Sequence, residues 1–362
     1  MVARERMARL DSRLRRRAGL ILPIVSFFAF VGLLAGCKGA AKGPETLVVV
    51  SWGGAMQDAQ REVIYKTFET KYGVKVQDVS PTDYGKFKAM VDSKNVEWDV
   101  ADVDADFVPR AVKGELLEPL DFKVIDKTSL EPDLTTDYSV GAEWFALAIG
   151  YSTKDYAKGK NPKTWPEFWN TKKFPGKRTL WKYAPGTLET ALMADGVPID
   201  KLYPLDVDRA FKSLDRIKKA TQVWWTTGAQ PAQLLTDNEV SLAAAWNGRI
   251  TTAKIQGAAV DIDFGQSVLM ADVWAVPKGT KHKDLAMKFI AWATAPEQQA
   301  AFAKLIPYGP VNGKAFDLLD AGVKAALPSS PDKRANQVIL NVKYWFDNYD
   351  AINDRFQKWL LE

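Results

Sequence analysis

Between residues 46 and 120 the chain alternates between short β-branched runs and longer stretches with helical spacing, and this alternation constrains the fold more than any other feature. The runs "TLVVVSW", "VKVQDVS" and "WDVADVDA" read as strands, the first closed by Gly53-Gly54. Between them, "AMQDAQREVIYKTFETKYG" puts Ala59, Val63, Ile64, Thr67 and Phe68 at helical spacing and stops at Gly73. "YGKFKAMVDSK" reads as a second helix, and "FVPRAVKGELLEPL" as a helix and turn. Such alternation favours a parallel α/β sheet. "EWFALAIGYSTKDY" then reads as a strand leaving that unit. A second strand and helix region follows: "TLWKYA", a helix from Gly186, the amphipathic "VDRAFKSLDRIKKA" and the strand "VSLAAAW". "VLMADVWAVPKG" returns as a strand, residues 282–305 read as a long helix interrupted near Pro296, and the aromatic-rich C-terminus reads as helical.

The N-terminus sets the compartment. Arg15, Arg16 and Arg17 precede an apolar run from Ala18 to Leu34, and Leu34-Ala35-Gly36-Cys37 forms a small-residue cleavage site, so residues 1–36 read as a secretory signal. The bare run is also long enough for a membrane span. Its cysteine-terminated end resembles the lipobox of bacterial lipoproteins, which implies cleavage before Cys37, acylation of its thiol, and a periplasmic chain held at a membrane face. Of 49 basic and 44 acidic side chains, residues 1–36 hold seven arginines against Glu5 and Asp11, so 42 of each sign remain. The exported part is neutral and offers no basic patch for nucleic acid. Cys37 is the only cysteine, which excludes an internal disulfide. Stability must come from a large core, and roughly 325 residues is the length of two domains. Two α/β lobes joined by chain crossings is the economical architecture.

No enzymatic set emerges. His282, the only histidine, sits in the charged turn "PKGTKHKD", so there is no Ser-His-Asp or Cys-His arrangement and no His-rich metal site. Asp102, Asp104 and Asp106 imitate the opening of a calcium loop, but Phe107 and Lys113 stand where its glycine and glutamate belong. On an extended segment the three aspartates share one face. Thirteen tryptophans and eleven tyrosines exceed what a core requires. Several flank strand ends beside polar or glycine residues: Trp52-Gly53, Trp144, Trp246-Asn247-Gly248-Arg249 and Tyr308-Gly309. Open α/β sheets place ligands at such ends. An exported two-lobed chain of this kind reads as a receptor for a small solute, with no cofactor and no metal; an exported carboxylate-based enzyme is the rival from another class.

The order of segments resembles the periplasmic solute-binding proteins of ABC importers, specifically the spermidine/putrescine-binding type. The matching pieces are "LVVVSWGG", "YGVKV", "WDVADVDADFV" with "GELLEPLD", "AIGYSTKD", "PKTWPEFWN", "EVSLAAAWNGR", "ADVWAVPKG" and "IPYGPVN". The resemblance implies a type II periplasmic binding protein fold, each lobe a mixed, mostly parallel sheet flanked by helices, with ligand in the cleft. It divides the chain into residues 45–146 plus 270–312 and residues 147–269 plus 313–362. It further implies a monomer that delivers a small solute to permease subunits with a cytoplasmic ATPase. For the site it implies Trp52 and Gly53 after the first strand, Asp104 of the three aspartates, Trp246, Asp272 for an ammonium, and Tyr308. Tyr183 and Gly186 stand where the family supplies a second carboxylate pair, with Glu189 on the helix behind; Met270 stands where an aromatic is expected.

Arg249 follows "WNG", where the family often has serine, and its charge has the wrong sign for a polyamine site. The residue pair Asn247-Gly248 reads as a turn. Either Arg249 pairs with Asp261, Asp263 or Asp104 and orients the cleft, or it meets a ligand carboxylate while Asp272 or Asp104 meets an amine. The second reading describes an ω-amino acid such as 4-aminobutyrate better than putrescine; a small carboxylic acid and a ring cation such as thiamine are the further alternatives.

Overall fold

Among the described residues nine strands join in one sheet of order β2-β1-β3-β8-β4-β7-β5-β6, with β9 paired to β8. They are β1 (Thr46–Val50), β2 (Lys75–Val79), β3 (Val100–Asp104), β4 (Ser139–Ser152), β5 (Arg178–Trp181), β6 (Thr221–Trp225), β7 (Leu242–Trp246), β8 (Val260–Ala275) and β9 (Gln337–Ile339). The computed structural model describes residues 43–334 and 336–362, so the expected signal, residues 1–36, and the acylated Cys37 lie outside the described residues. Residues Pro44–Glu362 form one compact unit. No helix among the described residues is long and apolar enough to cross a membrane.

The early alternation yields the expected parallel neighbours, β1 with β2 and with β3. Leu47 and Val49 of β1 pack against Ile64 and Phe68 on one face, while Val50 and Val103 pack with Phe87 and Phe107 on the other. β5, β6 and β7 are parallel in the same way. The two halves are joined by long antiparallel strands: β8 pairs β3 through Asp272–Ala275, and β4 along most of its length. All fourteen residues of β4 are buried, as a strand covered on both faces requires. A β-bulge between Gly141 and Glu143 sets the register that places Glu143 directly opposite Asp272.

Helix boundaries follow the local chemistry. Asp206 caps the helix Val207–Lys218 by accepting from Arg209 N–H, and Pro296 opens a new helix, Pro296–Leu305, after Lys283–Ala293 ends. The expected Asn247-Gly248 turn is corrected: both residues open the helix Asn247–Ile255 directly after β7. Asn247 is buried, accepting from Ala146 N–H at 2.9 Å and donating to the Pro307 carbonyl at 2.7 Å. A Cβ on Gly248 would lie 2.4 Å from the Tyr308 ring, so glycine serves close packing there.

Candidate functional site

Three acids meet where β3, β8 and β4 lie side by side. Asp272 on β8 faces Asp104 on β3 in one ladder and Glu143 on β4 in the other. Asp102, two residues before Asp104, points to the same face, and one carboxylate oxygen each from Asp102, Glu143 and Asp272 lie within 4.8 Å of one another. All are buried. Asp102 Oδ2 accepts from Ser51 Oγ at 3.0 Å and Gln60 Nε2 at 2.7 Å. Asp102 Oδ1, Glu143 Oε1 and Asp272 Oδ1 find no hydrogen-bond partner among the described residues. Burial, then neighbouring negative charge from Asp102, pushes the Glu143 and Asp272 carboxyls far above the usual range, and burial lifts Asp102 to about 7. The trio forms a buried cluster of carboxyl oxygens able to hold a cation.

Arg249 supplies the opposite charge. It lies in the first turn of Asn247–Ile255, is 3% exposed, and none of its Nε, Nη1 and Nη2 atoms has a hydrogen-bond partner among the described residues. The three expected protein partners are otherwise engaged: Asp261 with Lys254 at 2.7 Å, Asp263 with Asn161 at 2.9 Å, and Asp104 with the Tyr84 hydroxyl at 2.5 Å. Its charge opposes the upward shifts of Asp102, Glu143 and Asp272, which places it in their field. Gly54 and Gly228 let the backbone close over it; a Cβ on either would sit 3.0 and 3.1 Å from its guanidinium nitrogens. A cavity of about 500 Å³, lined by Ala55, Ala229, Gln233, Thr236 and Thr252, reaches Arg249 but touches none of the acids. A buried guanidinium with no partner carries an uncompensated desolvation cost that an anion would offset.

Aromatic rings wall the site. Trp246, at the end of β7, packs edge-on against Trp52 at 6.1 Å, Phe145 at 5.7 Å and Trp181 at 5.2 Å. Tyr308 is buried beside Phe145 and Gly248 within the field of Arg249, Glu143, Asp272 and Asp102. The structure thus brings together Trp52, Trp246, Arg249, Asp272 and Tyr308.

Four expectations change. The Asp104 carboxyl accepts from Tyr84, which stacks on Phe107 at 4.0 Å, whereas Asp102, expected outside the cleft, has an oxygen with no hydrogen-bond partner among the described residues, beside Glu143 and Asp272. Asp106 leaves the strand for the start of the helix Phe107–Lys113. Its Oδ2 accepts from the Tyr183 hydroxyl at 3.0 Å and from Arg110 at 3.2 Å, and Arg110 donates to Tyr183 at 3.2 Å, so the Tyr183 hydroxyl is engaged within the protein. Gly53 donates its N–H to Gln57 Oε1 at 3.0 Å. Glu189 sits behind, as expected, accepting from Tyr203, Trp345 and Gly186 N–H. Met270 is buried in the core beside Gly186. Glu143 escaped sequence reasoning, although it is the one charged residue in an otherwise apolar or small-polar strand.

Comparison with known proteins follows the same lines. The family model for bacterial extracellular solute-binding proteins matches residues 64–328. The gamma-aminobutyric acid-binding protein of Pseudomonas aeruginosa is 37% identical over 333 residues, spanning 90% of this chain and 94% of that protein. The spermidine/putrescine-binding periplasmic protein of Escherichia coli is 25% identical over 281 residues, 75% of this chain and 76% of that protein. Among solved structures, the Atu4243-GABA receptor superposes with a TM-score of 0.78 at 45% identity, covering 87% of this chain and 98% of that one. The fold is that of the type II periplasmic binding proteins.

Proposed function

The chain belongs to the family of bacterial extracellular solute-binding proteins, and from that premise we propose that it is the receptor of an ABC importer for a short ω-amino acid of the 4-aminobutyrate type. One observation carries the ligand class. Arg249 is buried with its whole donor fork unused, in the field of Asp102, Glu143 and Asp272, each with an unused oxygen. A zwitterion satisfies both ends: its carboxylate takes the guanidinium in a charge-assisted, bidentate contact, and its ammonium enters the acid trio. Trp52, Trp246 and Tyr308 cover the methylenes between, and tryptophan faces attract the cationic end. The names of the Pseudomonas relative and the Atu4243 receptor support this reading.

The surplus of acids over Arg249 favours a second reading, a polyamine. Burial answers it: the acids hold protons when no ammonium is present, so their number does not measure the charge of the ligand. Arg249 beside a diamine would repel its second ammonium.

In this reading residues 45–146 with 270–312 and residues 147–269 with 313–362 form two lobes that hinge at β4 and β8. Trp52 against Trp246, and Asp106 against Tyr183, are contacts between them. A ligand touching Arg249 on one side and Asp272 on the other binds the closed arrangement better than the open one, and shifts the population by that difference. A signal removed before Cys37 and an acyl anchor on that thiol keep the receptor beside its permease.

Isothermal titration of the purified protein, unfolded and refolded to strip bound solute, tests the proposal with 4-aminobutyrate, putrescine, spermidine and malate in parallel. Tight binding of 4-aminobutyrate alone is expected. Tight binding of putrescine or spermidine with none of 4-aminobutyrate would overturn the ligand class, and malate alone would point to a carboxylic-acid receptor.

A further inference from the structure

We propose that Asp102, Glu143 and Asp272 form a tripod that accepts only an unsubstituted ammonium, so that the receptor takes primary amines and rejects their N-methylated analogues. The inference rests on the ω-amino acid reading of the same site and adds the residue set that decides which amines enter.

The first support is geometric. An ammonium directs its hydrogen bonds tetrahedrally at about 2.8 Å, so one ammonium can be met by three acceptors no farther apart than roughly 4.6 to 5 Å. One carboxylate oxygen from each of the three acids lies within 4.8 Å of the other two. Each acid also retains an oxygen with no hydrogen-bond partner among the described residues, with Trp52 in reach of Asp102 and Glu143 in reach of Asp272. Their positions are fixed from behind: Asp102 by Ser51 and Gln60, Asp272 by ladders on both sides, and Glu143 by the bulge that brings it opposite Asp272.

The second support is independent of the acids. Arg249, 3% exposed and unpartnered, stands in the field of the trio and gives the amine's other end a destination. A ligand anchored there by its carboxylate has its nitrogen delivered to the tripod at a fixed depth. N-methyl groups replace N–H donors and hold oxygens off at about 3.3 to 3.6 Å, the range of C–H contacts. They overfill the tripod and leave buried acceptors unmade, the situation in which a site discriminates most strongly.

Three acids so close and so buried cannot all ionise, so the tripod holds protons that an arriving ammonium displaces. The groups facing it are Asp104 from β3, Tyr65 from the helix behind β1, Arg249, and Tyr308. Primary amine uptake near neutral pH is therefore accompanied by proton release.

Titration calorimetry with 4-aminobutyrate, its N-monomethyl analogue and its N,N,N-trimethyl analogue, in two buffers of different ionisation enthalpy, tests the tripod on the unaltered protein. Affinity is expected to fall about 10-fold with one methyl and more than 100-fold with three, and the primary amine alone to release protons. Glu143→Gln should weaken 4-aminobutyrate about 30-fold while leaving the trimethyl analogue unchanged, with Asp102→Asn as a second variant if the first melts early. Equal affinity for the primary and trimethyl amines would overturn the tripod while leaving the receptor for ω-amino acids standing. Binding of none of the three would overturn that underlying reading and the tripod with it. Calcium alone raising the melting temperature of the stripped protein, and competing with 4-aminobutyrate, would overturn the proposal in favour of a metal site.

Discussion

Two buried arginines show how this fold treats charge. Arg178 on β5 is wholly buried, and each of its three guanidinium nitrogens donates to a backbone carbonyl, those of Phe168, Phe174 and Gly176, rather than to an acid. Arg249 is almost as deep, yet its guanidinium has no hydrogen-bond partner among the described residues, and the surrounding acids have oxygens likewise without one. The first arginine ties the loop after the helix Trp165–Trp169 to the sheet, and its needs are met within the chain. The second has needs that only something from outside can meet. Depth alone therefore does not distinguish a structural charge from a ligand contact; the hydrogen-bond inventory around it does.

The largest expected effect lies at the satisfied site. Arg178→Met strands the buried Phe168 and Phe174 carbonyls and frees the part-buried Gly176 carbonyl, and should cost about 4 kcal/mol of folding stability, seen as a large drop in thermal midpoint by circular dichroism. Retention of full stability would break the comparison. Arg249→Met should do the converse: about 3 kcal/mol lost in 4-aminobutyrate affinity by calorimetry, with the ligand-free melting temperature unchanged or raised. A fall in stability with binding intact would make Arg249 structural.

Acidity sharpens the contrast further, because Arg178 donates to carbonyls, which do not titrate, whereas Arg249 lies in the field of several buried carboxyls. Asp102, raised to about 7, and Asp104, raised to about 8, bind protons in the folded state that the unfolded chain releases near pH 4. Folded carboxyl pKa values above the unfolded ones mean stability from these groups is present at low pH and lost as pH rises through about 4 to 8. The slope is at most about 1.4 kcal/mol per pH unit for each proton. Ligand-free protein should thus melt higher at pH 5.5 than at pH 8, while 4-aminobutyrate, whose ammonium needs ionised partners, binds more weakly at pH 5.5; melting and titration series at the two pH values check both signs. The smallest effect belongs to Tyr183→Phe, which removes one hydroxyl from the Asp106 and Arg110 cluster. It should cost about 1 kcal/mol in ligand affinity if that cluster holds the closed arrangement, measurable as faster ligand release in stopped-flow.

Much of this was legible in the sequence, and what escaped did so for physical reasons. Period-two and helical spacing, glycine stops and Pro296 gave the strands and helices, because each signal is local. Strand-end positions and resemblance singled out Trp52, Trp246, Arg249, Asp272 and Tyr308, which the structure brings close together. Asn247-Gly248 misled, since the same pair that suits a turn also suits a buried amide bracing Ala146 and Pro307 beside a ring that needs glycine. The sequence pattern does not separate Asp102 from Asp104, because it is Tyr84, eighteen residues earlier than Asp102, that engages the Asp104 carboxylate. Glu143 reaches Asp272 only through a bulged register between strands far apart in the chain, which no local pattern records.

The central claim is that Arg249 is kept unpaired for the carboxylate of a zwitterion. A crystal structure of the complex with 4-aminobutyrate tests it most directly. The account predicts both ligand oxygens on the Arg249 guanidinium and the ligand nitrogen among Asp102, Glu143 and Asp272. Arg249 bonded instead to a protein acid, with the ligand carboxylate elsewhere, would contradict it.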